Sequence, residues 1–236
     1  MININYKKAI LRPFTDYKKF LIGIVLLFIP IINILTGFIV KGFQLECAKD
    51  ERKKKYELPD FNDFKRLFVI GFLSFVISII YLIPVIIIFA VSIGNLFLDM
   101  IKSMNAEEID FSALTASIGS GEITGIVIGS ILLVLTMYIV PVALMEYLNK
   151  YKFKQAFKIN TILKKVFTGK YFITILSIIG YFIVVYAVSS LIMLVAAFIP
   201  SATVIQVIAS VISAIINFIL GVTAFTLIGE VYPELK

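Results

Sequence analysis

The chain has 236 residues, of which 60% are hydrophobic and only 16% are charged. Soluble domains carry about 25% charged residues, so this composition excludes an ordinary globular domain and predicts an integral membrane protein. The formal net charge is +7, but the Lys and Arg residues flank apolar stretches, as they do in membrane proteins. We therefore expect the lipid bilayer as a partner and no nucleic acid.

The composition also limits the chemistry that is available. There is no His, and Cys47 is the single cysteine. These two facts exclude an intramolecular disulfide, a Cys/His metal cluster and His-based acid–base catalysis. The sequence contains neither a GxxxxGK[ST] phosphate loop nor a GxSxG nucleophile elbow. We accordingly expect no catalytic residue, no metal site, no cofactor and no enzymatic activity.

The predicted fold class is all-α, a polytopic membrane protein in which residues 1–236 form a single membrane domain. Residues 20–40 are predicted to form either a re-entrant hairpin or a fifth transmembrane helix. Basic amphipathic helices are expected to lie in the membrane interface. Four full transmembrane helices are expected at Leu67–Ile93, Ile123–Met145, Tyr171–Ile199 and Thr203–Gly229.

Residues 1–19 form a basic interfacial segment in which Thr15 or Asp16 can cap a helix. Residues 20–40 are long enough to cross the bilayer once, yet Pro30 and Asn33 lie in their middle. Pro30 removes a backbone donor, and Asn33 can cap a second helix. Two half-helices that meet at Ile31 to Asn33 would form a hairpin, and one kinked transmembrane helix is the alternative.

Residues 41–66 are predicted to be a cytoplasmic loop, near whose end Pro59 and Asp60 can start a helix. The span 67–93 holds no charged residue, and at about 1.5 Å per residue it exceeds a hydrocarbon core of about 30 Å. Pro84 is expected to kink this span. Residues 94–122 are predicted to be an acidic external loop, and their carboxylates lack the spacing of a calcium-binding loop.

The span 123–145 contains a second predicted kink at Pro141. Gly121, Gly125 and Gly129 recur every four residues and permit close approach of another helix, either in this chain or in a second copy. A homo-oligomer or a membrane-protein partner is therefore compatible with the sequence. Residues 146–170 are predicted to be a basic interfacial helix that binds anionic lipids.

The spans 171–199 and 203–229 are joined by a short turn and are therefore expected to be antiparallel. Gly221 belongs to a face of small residues that is suited to helix packing. Gln206 and Asn217 are the most polar groups of the last span. Together with Asn33 they are candidate polar intramembrane positions, which either hydrogen-bond neighbouring helices or line a substrate site.

The distribution of basic residues predicts the orientation in the membrane. If residues 20–40 form a hairpin, 21 of the 22 Lys and Arg residues lie on the cytoplasmic side and only Lys102 lies outside. A full crossing would give sixteen against six, which the positive-inside rule also permits. We predict a multi-pass protein of the cell membrane with both termini in the cytoplasm, and the charge count favours the hairpin.

Several stretches resemble a known family when they are taken together and in order. They are Pro13-Phe14-Thr15-Asp16, Ile29-Pro30-Ile31-Ile32-Asn33, Leu58-Pro59-Asp60-Phe61, and Phe153 to Phe157 followed by a basic helix to Gly169. Their order and spacing resemble the domain of unknown function 4013 family, which comprises prokaryotic and mostly archaeal membrane proteins. The resemblance covers nearly the whole chain, and Phe61 and Phe64 stand where the family usually has aromatic residues, often Trp. It implies a polytopic membrane protein with no known activity, ligand or catalytic residue.

Two functional hypotheses follow. The first is a non-catalytic protein that organises or shapes the bilayer, or that serves as an accessory subunit of a membrane assembly; the basic interfacial helices and the predicted hairpin favour it. The second is a transporter or carrier of a neutral or lipid-like substrate. The proline in each of three apolar stretches favours this alternative, because broken helices line binding sites in transporters.

Overall fold

The computed structural model describes residues 4–29, 33–51, 56–104, 119–196, 198–199 and 201–235. For residues 33, 50, 51, 93, 95–104 and 120 it describes the backbone alone. The regular structure of all these residues is helical, without a strand. The α-helices in chain order are α1 (Tyr6–Leu11), α2 (Tyr17–Phe28), α3 (Asn33–Glu51), α4 (Phe64–Met104), α5 (Ser120–Lys150), α6 (Ile159–Val166), α7 (Gly169–Ala196) and α8 (Ala202–Val231).

Four helical stretches in the described part of the chain are long and apolar enough to cross a membrane. They are Phe64–Ser92, Gly121–Lys150, Gly169–Ala196 and Ala202–Glu234. These stretches contain most or all of each of the four predicted spans, so the all-α polytopic prediction is confirmed. The chain is a multi-pass membrane protein.

The predicted segment 20–40 is divided between two helices. Asp16 caps α2, because its carboxylate accepts hydrogen bonds from the backbone N–H groups of Lys18 and Lys19. α2 ends at Phe28 and α3 begins at Asn33, while residues 30–32, which include Pro30, lie outside the described residues. The Thr36 hydroxyl of α3 donates a hydrogen bond to the Leu26 carbonyl of α2. The two helices pack antiparallel.

α8 is the central helix of a compact unit formed by Met1–Ile77 and Pro141–Lys236. Of its apolar stretch 56% is buried, against 6% for α7, and it contacts α1, α2, α3 and α7. Phe218 of α8 and Phe61 both stack on Phe43 of α3, with ring centroids 5.7 and 4.1 Å apart. The core around Phe43 therefore joins α3, α8 and the segment that precedes α4.

Two glycines allow α3 to approach the start of α4 closely. A Cβ atom at Gly42 would overlap the Leu67 carbonyl, and one at Gly71 would overlap the Phe38 carbonyl. The contacts run in opposite chain directions, so α3 and α4 are antiparallel here. The second compact unit, Ser78–Val140, contains the distal part of α4 and the first part of α5. Within it α4 and α5 are also antiparallel, since Gly125 faces Ser92 and Gly129 faces Phe89.

Several element boundaries differ from the predicted ones. Helix α3 continues to Glu51 and α4 to Met104, into segments predicted to be the loops 41–66 and 94–122. A helix continues while its backbone hydrogen bonds are satisfied, and polar residues alone do not end it. Asp63, rather than Asp60, accepts the hydrogen bond of the Arg66 N–H at the start of α4.

The predicted basic helix over residues 146–170 is also divided. α5 ends at Lys150. The next residue, Tyr151, has a φ of 50°, which lies in the left-handed region. A 3-10 turn at Phe153–Phe157 and the non-helical Lys158 then separate α5 from α6. α6 is amphipathic, because Ile162 and Val166 are buried and the basic residues lie elsewhere on its surface. It has only eight residues.

Candidate functional site

One face of α8 carries a polar stripe, which we define as Gln206, Ser210, Ser213 and Asn217. The spacing of four, three and four residues places these side chains on one side of a helix, and all four are exposed. The stripe extends about 16 Å along the helix axis at 1.5 Å per residue. It lies within a stretch of mean hydropathy 2.3. Amide groups exposed to hydrocarbon are costly, so the stripe is a candidate functional feature.

The polar stripe lies along a groove that we call the α8 groove. Its volume is about 970 Å³, which is within the range of small-molecule sites. Its lining residues belong to α8 and to the end of α2: Leu27, Phe28, Ala202, Ile205, Gln206, Val207, Ala209, Ser210, Ser213, Ala214 and Asn217. None of them is charged, so the groove offers hydrogen-bonding groups beside apolar surface.

The α8 groove ends where α3 packs on α8. The side-chain amide of Gln44, which is buried, donates a hydrogen bond of 3.1 Å to the backbone carbonyl of Asn217. A Cβ atom at Gly221 would overlap the Gln44 amide. α3 therefore covers α8 beyond Asn217, whereas the residues described beside the stretch from Gln206 to Asn217 are those at the end of α2, Leu27 and Phe28.

A smaller cleft of about 210 Å³ lies on the α7 side of α8. Tyr186, Ser189 and Met193 of α7 line it together with Ser213 and Asn217. The hydroxyl of Ser189 donates a hydrogen bond of 2.8 Å to the Tyr186 carbonyl, so this serine satisfies its donor within α7. Ser213 and Asn217 therefore border open space on two sides.

The opposite end of this unit carries a network that we call the polar layer, defined as Arg12, Lys19, Glu46, Arg66, Glu146 and Lys165. Arg12 is 0% exposed and follows α1 directly. Its guanidinium donates hydrogen bonds to the Cys47 carbonyl at 2.9 Å, the Thr226 hydroxyl at 3.0 Å and the Glu57 carbonyl at 2.8 Å. One side chain thus joins the N-terminal segment to α3, α8 and the segment before α4.

Lys19 at the start of α2 ends in the same polar layer. Its ammonium lies 2.7 Å from the Asp60 carboxylate and donates a hydrogen bond of 2.8 Å to the Leu58 carbonyl. Lys19 at the start of α2 and Glu46 near the end of α3 line one cleft of about 600 Å³. The two helices therefore begin and end at the same side of the unit.

Tyr151 connects two residues of the polar layer, Glu46 and Arg66. Its hydroxyl donates a hydrogen bond to the Glu46 carboxylate and accepts from Lys49 at 2.7 Å and from Arg66 at 3.0 Å. Arg66 also pairs with Glu46 at 3.0 Å. Burial, and then the hydrogen bond to Glu46, raise the pKa of Tyr151, so this phenol stays protonated at neutral pH.

Glu146 and Lys165 form the third part of the polar layer. Their side chains are 9% and 17% exposed, and the ammonium lies 2.7 Å from the carboxylate. Lys165 also lies 4.0 Å above the centre of the Tyr232 ring, a cation–π contact. Because these charges are paired, the polar layer connects helix ends and presents no free nucleophile. No group of three or more metal-ligating side chains occurs among the described residues.

A family model described as protein of unknown function (DUF4013) matches residues 25–194, well over half of the chain. The chain belongs to this family. The resemblance predicted from the sequence is thereby confirmed. No curated protein and no solved structure matches the chain. The DUF4013 match begins after Lys19 and ends before α8, so the polar stripe and two residues of the polar layer, Arg12 and Lys19, lie outside it.

The structure brings some of the predicted site residues together. Gln206 and Asn217 line the α8 groove. Asn33 is the first residue of α3, and its side chain is outside the described part. Pro84 and Pro141 lie inside the continuous helices α4 and α5.

The predicted packing glycines have different surroundings. A Cβ atom at Gly125 would overlap the Ser92 side chain, whereas one at Gly121 would meet nothing within 4 Å. At Gly129 it would lie 3.0 Å from the Phe89 ring. Of the three glycines in the series, Gly125 and Gly129 are thus in close contact with α4.

Sequence reasoning missed the polar layer. It treated Arg12, Glu46 and Arg66 as solvated charges of interfacial or loop segments, because each is surrounded by other charged residues in the sequence. The sequence held only weak signals of this layer, such as two threonines, Thr223 and Thr226, in an apolar part of the last helix. Arg12 bonds to Thr226 across 214 positions of the chain, and no local pattern indicates a pair so distant.

Proposed function

We propose that this protein is a non-catalytic membrane protein that shapes or organises the bilayer. The observation that carries the proposal is the pair α2 and α3. α2 has 12 residues and is therefore about 18 Å long at 1.5 Å per residue, too short for a hydrocarbon core of about 30 Å. Both helices are anchored by their charged ends in the polar layer. α2 would fill one leaflet without crossing the other, and α3 returns to the same side because it packs antiparallel to α2.

The exposed surface of α2 supports this placement. Leu21, Ile22 and Val25 are all exposed, as expected for a helix that contacts acyl chains. An apolar wedge in one leaflet increases the area of that leaflet alone, and the unequal areas favour curvature. The proposed topology places the polar layer and both termini on the cytoplasmic side of the cell membrane, as the positive-inside rule favours.

Cysteine labelling of intact cells tests the topology. In a Cys47→Ala background, Lys7→Cys and Lys158→Cys should resist a membrane-impermeant maleimide, and Thr203→Cys should react. All three positions are exposed. Reaction at Lys7→Cys together with protection at Lys158→Cys would mean that the segment before α3 crosses the bilayer, and the wedge would then be excluded.

Vesicle shape tests the activity itself. Purified protein reconstituted at rising density should reduce vesicle diameter or form tubules. Replacing Leu21, Ile22 and Val25 by Ala should weaken this effect, because it removes apolar volume from the wedge. The matched control replaces Ile183, Val184 and Leu191 of α7, which are also exposed, by Ala. Equal effects of both sets would assign the curvature to general protein crowding and refute the proposal.

A carrier of a neutral or lipid-like substrate is the second candidate function. The α8 groove favours it, because Gln206 and Asn217 lie on one open face within a span of mean hydropathy 2.3. A carrier requires transfer across the bilayer. Protein-dependent movement of a fluorescent neutral lipid between the leaflets of vesicles, lost in Asn217→Leu, would support this function. Equal rates with and without protein would contradict it.

A further inference from the structure

In the part of the chain that the structure describes, the α8 groove leaves hydrogen-bonding groups without a protein cover. The Ser210 hydroxyl donates a hydrogen bond of 2.9 Å to the backbone carbonyl of Gln206, which leaves the lone pairs of the hydroxyl oxygen available. The side-chain amides of Gln206 and Asn217 bond to none of the described residues and are exposed. A membrane helix that presents two amides and two hydroxyls to hydrocarbon would incur a large free-energy cost. A polar occupant in the groove would remove that cost.

The lining of the α8 groove defines the chemistry of its occupant. Amides and hydroxyls both donate and accept hydrogen bonds, so they match an alcohol, an ester or an amide. None of the described residues that line the groove is charged, and an ion that entered it would lose hydration without gaining a counter-charge from them. Leu27 and Phe28 supply apolar surface at the α2 end of the groove. The matching molecule is uncharged and amphiphilic.

We propose that the α8 groove binds a neutral, hydroxyl-bearing lipid whose headgroup lies against the polar stripe. The volume of about 970 Å³ accommodates the headgroup and the adjoining part of the acyl chains. The lipid enters from the membrane face opposite the polar layer, because α3 closes the other end at Gln44 and Gly221. This inference deepens the second candidate function and rests on the membrane placement of α8, which the labelling experiment tests separately.

Tryptophan quenching measures such binding directly. The chain contains no Trp, so Phe28→Trp places a single fluorophore in the α8 groove. The variant is reconstituted in phosphatidylcholine vesicles that contain either dibrominated diacylglycerol or dibrominated phosphatidylglycerol. Bromine quenches only a tryptophan that it contacts. Diacylglycerol should half-quench this fluorophore at a mole fraction roughly fivefold lower than phosphatidylglycerol, the preference that one net hydrogen bond confers.

A tryptophan on a lipid-facing position serves as the matched control. Leu191 of α7 is 66% exposed and lies outside the groove, so Leu191→Trp should be quenched equally by the two lipids. Adding Asn217→Leu or Gln206→Leu to Phe28→Trp should abolish the preference for diacylglycerol. Because both side chains are exposed, these variants should keep the fold, and the control fluorophore placed in either background reports whether they do.

Three outcomes would overturn the proposal. If Phe28→Trp is quenched equally by both lipids, the groove is ordinary lipid-facing surface. If neither lipid quenches Phe28→Trp while both quench Leu191→Trp, protein covers the groove, as it would in a dimer that packs through the polar stripe. If the preference for diacylglycerol persists in both Asn217→Leu and Gln206→Leu, the polar stripe does not bind the lipid.

Discussion

Replacement of Arg12 tests whether the polar layer holds the helices together. Arg12→Met keeps a long unbranched stem but removes the three hydrogen bonds to Cys47, Thr226 and Glu57. Hydrogen bonds from a charged donor contribute about 1.5–3 kcal/mol each, and the variant no longer buries a guanidinium, which offsets part of the loss. The expected decrease is about 2–4 kcal/mol in the free energy of unfolding.

Cys47 provides the assay for this variant. It is the single cysteine and is 0% exposed, so a fluorogenic maleimide reacts with it only when α3 separates from its neighbours. At about 2–4 °C per kcal/mol for a chain of this size, Arg12→Met should lower the midpoint of dye labelling in detergent by roughly 4–16 °C. The labelling midpoint of Arg12→Lys should lie between those of Arg12→Met and the unmodified protein, because one ammonium cannot reach all three acceptors.

Lys18→Met is the matched control, since Lys18 is exposed and the substitution also removes one positive charge. Its midpoint should stay within about 1 °C of the unmodified protein, as is usual for surface positions. If Arg12→Met also melts within about 1 °C of the unmodified protein, the hydrogen bonds of Arg12 do not stabilise the contact between α3 and α8. The role assigned to the polar layer would then be wrong.

Three further substitutions have defined outcomes. Gly125→Leu should lower the yield and the melting midpoint, because the new side chain would collide with Ser92. Gly121→Leu should change them much less, because nothing lies within 4 Å of a Cβ atom at Gly121. Equal behaviour of the two variants would refute the packing of α4 on α5. Glu146→Gln leaves the Lys165 ammonium, 17% exposed, without its carboxylate, so the free energy of unfolding should decrease by about 1–3 kcal/mol in the maleimide assay. Glu234→Gln, in the exposed pair with Lys170, should decrease it by less than about 1 kcal/mol. The reverse order of the two variants would contradict the structure. Burial and Glu46 raise the pKa of Tyr151 in the folded protein, so the contribution of Tyr151 to stability is complete below about pH 10 and is lost as the pH rises toward the folded pKa. Tyr151→Phe should therefore make the alkaline loss of stability shallower. An unchanged pH profile would show that Tyr151 does not contribute to this loss.

Periodicity and composition determined the membrane-spanning elements. An uncharged apolar stretch of more than 20 residues can satisfy its backbone inside a bilayer only as a helix, and that rule located the four spans without tertiary information. The helix cap at Asp16 was also predictable, because the side chain bonds to backbone N–H groups only two and three residues away. These features depend on neighbouring residues in the sequence.

Helix ends were less predictable. α4 continues past Ile93 to Met104, because Gly94 and Asp99 lower helix propensity without breaking the backbone hydrogen bonds. α5 ends at Tyr151 in a left-handed conformation, which the sequence does not signal, since neither Gly nor Asn occupies that position. Tertiary contacts of the Tyr151 hydroxyl with Glu46, Lys49 and Arg66 hold it there.

The sequence by itself determined that this chain crosses a membrane, which segments do so, and that Gln206 and Asn217 are polar groups in an apolar helix. The tertiary structure alone decided where those groups face. The α8 groove is bordered by the end of α2 and closed by α3 at Asn217 and Gly221, and the polar layer exists because Arg12 meets Thr226 and Cys47 from distant parts of the chain. Both features depend on helix length and packing, and packing contacts between distant segments leave no periodic signal in a single sequence.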